Sequence, residues 1–372
     1  MNSIFEMNTT NEVRDVPDGK VKATSPVVEV FSLLTAGKST AHMDGKVVDK
    51  SVSHIKELAD DALAGDGRAV SELNSIRRYA IAPKLLERIK LLDFMGTYKS
   101  IPYDTVPMMK TYKYEGVDAR FQASSGDVPF AAMSWREYPI GTQTISSGYA
   151  VNYRELQAGN FEGTEAEGIA QVKTDMQNKA VYYVIRKLYD GIKAVKTAGG
   201  MAHFSEAQGI TKSAVDNMLK AMRRYGKVNI MGDYSVVSQL NDFAGYLTVG
   251  GATIPYGADA VAEEIRRTGL INFYNGSAVV EIPNALNFTK PNAAGTDYEL
   301  YLPEGLLWFV PQGTIAPLQI FRRGDLTSMS ADDIVTREHL IRFDMEIGAG
   351  LAEGMEDWIG LVSDSNYTVP TV

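Results

Sequence analysis

The order of apolar and polar residues changes character near residue 160. Between residues 101 and 158 apolar side chains alternate with polar ones, for example where Tyr112 and Tyr114 flank Lys113. This period of two predicts strands that each have one covered face, and the Ser-Ser-Gly-Asp run at 124–127 predicts a turn. The segment has no evident core of its own. The pattern therefore predicts an extended β-hairpin that needs another surface to pack against.

A single long helix is predicted to follow the hairpin. Its apolar positions recur every three or four residues from Ile169 to Ile192. Thr164 and Glu167 have the spacing of a capping box, so the helix is expected to begin at Thr164. A stretch of 28 residues ending at Gly191 would span about 42 Å. A hairpin without a core, joined to a rigid helix, suits a part that reaches a neighbouring subunit.

Shorter elements are predicted on the N-terminal side. Residues 1–52 are polar apart from 27–34, and they are expected to form an arm held by the chain's own body or by a neighbour. Helical patterns cover 53–66, with Ser53 as N-cap, and 68–95, where Pro83 is expected to break or restart the helix.

The C-terminal half predicts a mixed α/β region followed by long strands. Asp233 is placed to cap a helix, and Asn275-Gly276 satisfies both positive-φ positions of a type I′ hairpin turn. A glycine-rich loop is expected at 245–258. The end of the chain is predicted to form two long antiparallel strands joined by a turn at Gly348-Ala349-Gly350.

Composition narrows the class of protein. A length of 372 residues allows two packed domains, and 45% hydrophobic with 22% charged residues is ordinary for a globular protein. The net charge of −9 gives the whole molecule no electrostatic footprint for nucleic acid. The absence of cysteine excludes disulfides and thiolate chemistry and fits a reducing cytosol. No apolar run has the length of a membrane span or a signal peptide.

Residues that could carry chemistry are scattered. His42, His54, His203 and His339 do not lie near one another at ligand spacing, and His339 is expected at the surface or at an interface. Ser53 and Lys56 have Ser-x-x-Lys spacing, but the partner motifs are missing. No phosphate-binding loop occurs. The sequence therefore predicts no catalytic, cofactor-binding or metal-binding residue, and no enzyme.

Aromatic residues in the hairpin are too numerous for an exposed ribbon. They either pack on the chain's own body or anchor an adjacent subunit, because aromatic residues and arginine are enriched at interfaces. Basic pairs such as Arg77-Arg78 either lie on solvated faces and pair with carboxylates or form forks across an interface. The candidate subunit-interface residues are Tyr112, Tyr114, Phe121, Trp135, Arg136 and Tyr138.

The order of these parts resembles the major capsid proteins of tailed bacteriophages, which have the HK-97-type fold. The cues are SSGYAVNYRELQAGN, EAEGIAQVKTDMQNKAVYYVIRKLYDGI, VNIMGDYSVVSQLNDF, INFYNGSAVVEIPNALN and HLIRFDMEIGAGLAEGMEDWIGLV. The resemblance covers nearly the whole chain as an order of elements, and no single motif is diagnostic.

The resemblance implies an α+β fold with five parts. These are an N-terminal arm and helices at 1–100, an extended hairpin (E-loop) at 101–158, and the spine helix with part of the peripheral domain at 159–208. The mixed α/β axial domain would cover 209–330, and returning strands of the peripheral domain would cover 331–372.

The resemblance also implies a function. Pentamers and hexamers would tile an icosahedral shell around double-stranded DNA, which they contact non-specifically. The short arm beginning at Met1 suggests a chain that is not processed, so a separate scaffolding protein is expected beside a portal and a possible decoration protein. Assembly would occur in the host cytoplasm, and no membrane or cofactor is implied.

Three alternatives stay open at this point. An encapsulin-like compartment would have the same architecture around cargo enzymes. A cytosolic enzyme would have its site near the loop 245–258, with Asp233 or Tyr256 in it. A tube or adhesion protein of a virion would form helical tubes or trimers.

Overall fold

The computed structural model describes residues 25–36, 38–41, 43–89, 96–115, 121, 132–152, 154, 158, 165–243, 246–249, 252–255, 258–292, 295–312, 317–333 and 338–367. Its helices are α1 Pro26–Thr35, α2 Gly45–Leu63, α3 Gly67–Ile89, α4 Glu167–Thr197, α5 Lys212–Met222, α6 Tyr234–Val237 and α7 Ala258–Thr268.

The strands divide into a long N-terminal set, a central set and a C-terminal set. They are β1 Gly96–Ile101, β2 Met108–Glu115, β3 Ala132–Pro139, β4 Thr142–Val151, β5 His203–Ala207, β6 Lys227–Gly232, β7 Tyr246–Val249, β8 Ala252–Pro255, β9 Phe273–Tyr274, β10 Ser277–Glu281, β11 Leu286–Pro291, β12 Tyr298–Leu300, β13 Leu306–Gln312, β14 Leu318–Asp333, β15 Glu338–Leu351 and β16 Gly360–Asp364.

A four-stranded sheet has the order β1-β14-β15-β4. β1 runs parallel to β14, and the other pairs are antiparallel. Side chains alternate along β15, so Ile341 and Phe343 are buried while Leu340 and Arg342 are exposed. The buried face belongs to the same apolar core as helices α1 to α4, which leaves the other face of this sheet without a helical cover among the described elements.

A six-stranded sheet has the order β5-β16-β13-β6-β10-β9. Val215 and Leu219 of α5 share a second apolar core with Ile230 of β6 and Phe309 of β13. The hairpin turn predicted at Asn275-Gly276 is confirmed, because the two residues have φ values of 47° and 76° and join β9 to β10.

Three two-stranded ribbons, β2–β3, β7–β8 and β11–β12, complete the described strands. The second lies within 245–258, so the predicted glycine-rich loop is in part a β-hairpin. The predicted cap is confirmed, since Asp233 Oδ1 accepts a hydrogen bond of 2.8 Å from Ser235 N.

Two helix predictions are wrong. Helix α2 begins at Gly45 and is capped by Asp44, whose carboxylate accepts from Lys46 N, so Ser53 lies inside the helix. Pro83 also lies inside the continuous helix α3. A proline costs a helix one backbone hydrogen bond, and tertiary packing of Leu73, Ile76 and Ile81 in the core outweighs that loss.

The predicted turn at 348–350 is also wrong. Gly348 and Gly350 lie within β15 and pair with Phe321 and Gln319 of β14, and β16 pairs with β13 and β5 in the other sheet. A Cβ atom on Gly350 would lie 2.6 Å from Cε of Met109. The glycine therefore permits close packing of the strand against the base of β2–β3 and does not mark a turn.

Helix α4 extends further than predicted at its C-terminal end. Its 31 residues span about 46 Å, whereas Thr164, the predicted cap, lies outside the described residues. The α+β class is confirmed. The five domain boundaries stay a prediction, and the sheet pairings bear on them: β14 at Leu318–Asp333 joins β15, while β16 returns to the six-stranded sheet.

Among the described helices, none combines the length and apolar character that crossing a membrane requires.

Candidate functional site

The hairpin β2–β3 is an isolated antiparallel ribbon in which Tyr112 lies opposite Trp135. Lys110 and Glu137 also lie opposite each other, with their charged atoms 2.9 Å apart. Lys110 Nζ is 5.4 Å from the centre of the Trp135 ring. These contacts orient Trp135 without covering it.

Three of the predicted interface residues are exposed. Trp135 is 61% exposed, Phe121 is fully exposed, and Arg136 is exposed. The side chains of Tyr112 and Tyr114 lie outside the described part of the structure. An exposed tryptophan on a ribbon is unfavourable for an isolated subunit, and it is the residue type most enriched at energetically important interface positions.

Tyr138 behaves differently, because it packs on its own chain. Its hydroxyl group donates to Met109 Sδ at 2.9 Å and accepts from Glu353 N at 3.1 Å. Burial raises the pKa of this tyrosine, and the nearby Glu353 carboxylate raises it further. Tyr138 flanks a small apolar cluster of Met109, Ala352 and Met355, which fixes the base of the hairpin to the end of β15.

The exposed face of the four-stranded sheet forms a groove of about 870 Å³, called here the sheet groove. Its floor follows the register in which Leu340 of β15 lies between Ala150 of β4 and Ala331 of β14. Gly148 and Met329 extend it. Small residues on β4 make the groove concave, and Met329 and Leu340 give it exposed apolar walls.

A buried polar cluster lies on the opposite face of the same sheet and is called here the polar joint. Arg77 of α3 and Glu165, which directly precedes α4, are both almost completely buried and form an ion pair. Arg77 Nε donates to Glu165 Oε1 at 3.0 Å, and the Tyr149 hydroxyl group donates to Glu165 Oε2 at 2.6 Å. The joint therefore ties α3, α4 and β4 together.

Further partners complete the joint. Arg77 Nη1 donates to Asn74 Oδ1 at 3.3 Å, and Asn74 Nδ2 donates to Ser330 Oγ on β14 at 2.7 Å. Burial and the Glu165 carboxylate raise the pKa of Tyr149 well above its usual value. A Cβ on Gly168 would lie 2.4 Å from Cδ2 of Tyr149, so α4 can approach this ring only through a glycine.

His339 corrects another prediction. It was expected at the surface or at an interface, but it is only 2% exposed within one chain. It lies opposite Asp332 in the β14–β15 register, with Nδ1 and Oδ1 2.5 Å apart. Burial lowers the pKa of His339, and the nearby Arg77 charge lowers it further.

The polar joint escaped the sequence analysis because its members are far apart along the chain. Arg77 was recognised as part of a basic pair, and its pairing with a carboxylate is confirmed, as it is for Arg322 and Arg323. Glu165 was read only as part of a helix start. Two charges that both fall on the core side of their elements were the available signal.

The described residues give no site for chemistry. They hold no group of three or more potential metal ligands, and Asp233 serves as a helix cap. The features that stand out are the exposed hairpin, the sheet groove and the joint between them. Such an arrangement characterises a structural subunit that assembles with copies of itself.

Comparison with protein families gives one match. A family described as "SPbeta prophage-derived putative capsid protein YonB" matches residues 7–363. This is nearly the whole chain, so the chain belongs to this family of prophage capsid proteins. A search of curated proteins finds no match.

Solved structures similar to this chain include three capsids or particles. The mature capsid of bacteriophage PhiM1 has 13% identity and a TM-score of 0.46, covering 73% of this chain and 87% of the other. The head of Helicobacter pylori bacteriophage KHP40 has 9% identity and 0.45, covering 72% and 87%. A virus-like particle from Pyrococcus furiosus has 10% identity and 0.43, covering 76% and 97%.

The family match confirms the resemblance drawn from the sequence and gives the chain a structural role in a virion capsid. Hairpin, long helix, α/β sheet and returning strands follow one another in the order of HK-97-type capsid proteins.

Proposed function

We propose that this chain is the major capsid protein of a phage-type particle, and that it assembles as pentamers and hexamers into an icosahedral shell around double-stranded DNA. The observation that carries the proposal is a pair of complementary surfaces. One is the hairpin with exposed Trp135 and Phe121, and the other is the exposed sheet groove. Each leaves apolar area in water that a second copy could cover.

The hairpin of one subunit would pack on the sheet groove of the next. Covering an aromatic side chain buries roughly 150–250 Å², which corresponds to about 4–6 kcal/mol at 25 cal/mol per Å² before the costs of association. Because hairpin and groove lie on different parts of one chain, the contact is heterologous, and heterologous contacts generate rings when the rotation closes. Rings of five and six subunits are such closed arrangements.

Arg136 supports the same contact. It is exposed beside Trp135, and arginine at an interface provides several donors in a fixed geometry. Of the six predicted interface residues, Tyr138 is assigned to the base of the hairpin, since its contacts are already made within the chain.

Further parts of the proposal concern partners. A separate scaffolding protein, a portal and a decoration protein would act with the shell, and assembly would take place in the host cytoplasm. The role is structural, without catalysis, because the family is one of capsid proteins and the best-supported surfaces are suited to self-association.

Electron microscopy of the purified protein tests the proposal directly. Closed particles are expected, from the protein alone or with a scaffold. Helical tubes, trimers, or a monomer under every assembly condition would contradict it.

A substitution in the sheet groove tests the contact itself. Leu340→Glu is expected to prevent particle formation while leaving a folded subunit, since the side chain is 43% exposed and a carboxylate there opposes an apolar contact. Leu286→Glu on β11 is the matched control, because Leu286 is 37% exposed outside the groove. Normal particles from Leu340→Glu would refute the role of the groove.

A further inference from the structure

Helix α4 carries positive charge in an acidic chain. It contains six Lys or Arg residues and three Asp or Glu residues, an excess of three positive charges, whereas the whole chain has a net charge of −9. A local excess of cations on one element, against the sign of the rest, is typical of a surface that binds a polyanion.

Three of these cations form a line along one face. Lys179, Arg186 and Lys193 lie seven residues apart, a spacing that drifts by only about 20° around a helix per step. The line is about 21 Å long at 1.5 Å per residue. Lys179 is exposed and the other two are partly exposed. These three residues are called here the basic line.

Each cation of the basic line lies over a tyrosine ring. Lys179 Nζ is 5.1 Å from the ring centre of Tyr182. Arg186 Cζ and Lys193 Nζ are 5.8 Å and 5.2 Å from that of Tyr189. Both rings are buried, so they provide fixed platforms. Cations held in this way lose less side-chain entropy when they bind a partner.

Nearby carboxylates weaken the basic line without cancelling it. Arg186 Nε donates to Asp190 Oδ2 at 3.1 Å, and Lys193 Nζ lies 3.9 Å from Glu206 Oε2. Surface ion pairs of this kind contribute about 0–1 kcal/mol. A dense row of phosphates can therefore compete with them for the cations.

Hydroxyl groups lie beside the basic line. A cavity of about 450 Å³ is lined by Arg186 and Lys193 together with Ser363, Ser365 and Tyr367. Hydroxyl donors next to cations are common at contacts with phosphate oxygens. The cavity also contains Asp190 and Glu206, so it suits a passing phosphate backbone better than a single trapped anion.

We infer that the basic line is the surface through which the subunit contacts double-stranded DNA, and that α4 faces the interior of the shell. The inference rests on the proposed function, which places DNA inside. Cations repeated about every 10 Å along a straight helix fit a continuous polyanion. Contacts to the phosphate backbone carry no sequence information, which suits a shell that encloses any DNA.

Fluorescence anisotropy with a short labelled duplex and the full-length subunit tests this inference. The variant K179Q/R186Q/K193Q is expected to reduce the slope of log affinity against log salt concentration by about three units and to lower affinity at least roughly tenfold at low salt. The matched control is K46Q/K50Q/K220Q, which removes three exposed positive charges from α2 and α5. Equal losses in the two variants would overturn the inference.

A second variant guards against a folding defect. Asp190→Asn removes an exposed carboxylate from the same face and is expected to raise affinity for the duplex; an unchanged or lower affinity would count against the basic line. Poly-glutamate serves as competitor. If it binds as tightly as DNA and loses binding in the same triple variant, the partner is an acidic polypeptide and the inference fails.

Electron microscopy of the same preparations separates the two proposals. Closed particles from a protein whose DNA affinity does not depend on the basic line would overturn this inference and leave the proposed function standing. Failure of every preparation to form particles would contradict the proposed function itself.

Discussion

The hairpin β2–β3 and the polar joint lie in the same half of the fold and treat their side chains in opposite ways. The hairpin leaves Trp135 and Phe121 in solvent, although both are apolar enough to form a core. The polar joint removes Arg77 and Glu165 from solvent, although both are charged. Each is costly for an isolated chain.

The two costs have different causes. Within the joint, the charges satisfy each other and also bind Tyr149 and Asn74, so the cost is offset inside one subunit. For the hairpin, the described residues of one subunit supply no cover for Trp135. Substitutions in the joint should therefore change the stability of the subunit, and substitutions in the hairpin should change its assembly.

The largest loss of stability is expected from Glu165→Gln. This change leaves the Arg77 cation buried without its counter-charge, and breaking such a pair costs roughly 3–5 kcal/mol. Urea unfolding of the unassembled subunit measures it. The double variant R77M/E165Q should recover much of the loss because the cation is gone; a single variant as stable as the original would contradict the importance of the pair.

A smaller loss is expected from Met109→Ala at the base of the hairpin. Met109 is fully buried against Gly350 and Tyr138, and truncating such a side chain costs about 2–5 kcal/mol. The same unfolding measurement applies. Met108→Ala is the control, since Met108 is exposed on the same strand and should change stability by less than about 0.5 kcal/mol.

Tyr149→Phe is expected to cost about 1–3 kcal/mol, because Glu165 Oε2 loses a buried donor. The original chain should also lose stability as the pH rises above 10, the usual tyrosine pKa. Folding raises the pKa of Tyr149, so the folded state holds the proton more tightly than the unfolded state. Unfolding curves measured above pH 10 should therefore fall less steeply for Tyr149→Phe; parallel curves would refute this assignment.

His339 should produce the opposite dependence on pH. Its pKa is lowered in the folded state from the usual 6.5, so the unfolded chain binds the proton more readily. Stability is then present above pH 6.5 and decreases as the pH falls below it. Asp332, Arg77 and Glu165 act on this ring. His339→Gln should show a flatter acid limb in unfolding experiments, and an unchanged limb would remove His339 as its source.

The smallest effect on subunit stability is expected from Trp135→Ala. Only an exposed contact with Lys110 is lost, which is worth about 1 kcal/mol or less. Particle formation, measured by electron microscopy, should nevertheless be abolished. Phe273→Ala is the matched control, since Phe273 is 62% exposed on β9; equal assembly by both variants would contradict the role of the hairpin.

Local patterns in the sequence predicted much of the fold. The alternation around Tyr112, the period of α4 and the turn at Asn275-Gly276 each depend on neighbours along the chain, and all three elements are present. The failures share a cause. Gly350 was read as a turn residue, but it is required by the approach of Met109, which lies far away in sequence.

The candidate site was predictable only in part. Exposure of Trp135 and Arg136 agrees with the prediction that hairpin residues await a partner, which stays a prediction until it is tested. Tyr138 was grouped with them because residue type alone cannot separate the tip of a ribbon from its base. The polar joint was missed because Arg77, Glu165 and Tyr149 meet only through the tertiary fold.

The order in which the strands pair has a consequence for synthesis. Gly96 pairs with Leu318 and His203 pairs with Gly360, so both large sheets wait for strands from the end of the chain. Such distant pairing makes folding slow, while the ribosome delivers the N-terminal parts first. A chain that stops before Leu340 carries the hairpin but lacks the surface that would receive it. Incomplete chains are thereby denied one half of the contact on which a growing shell depends.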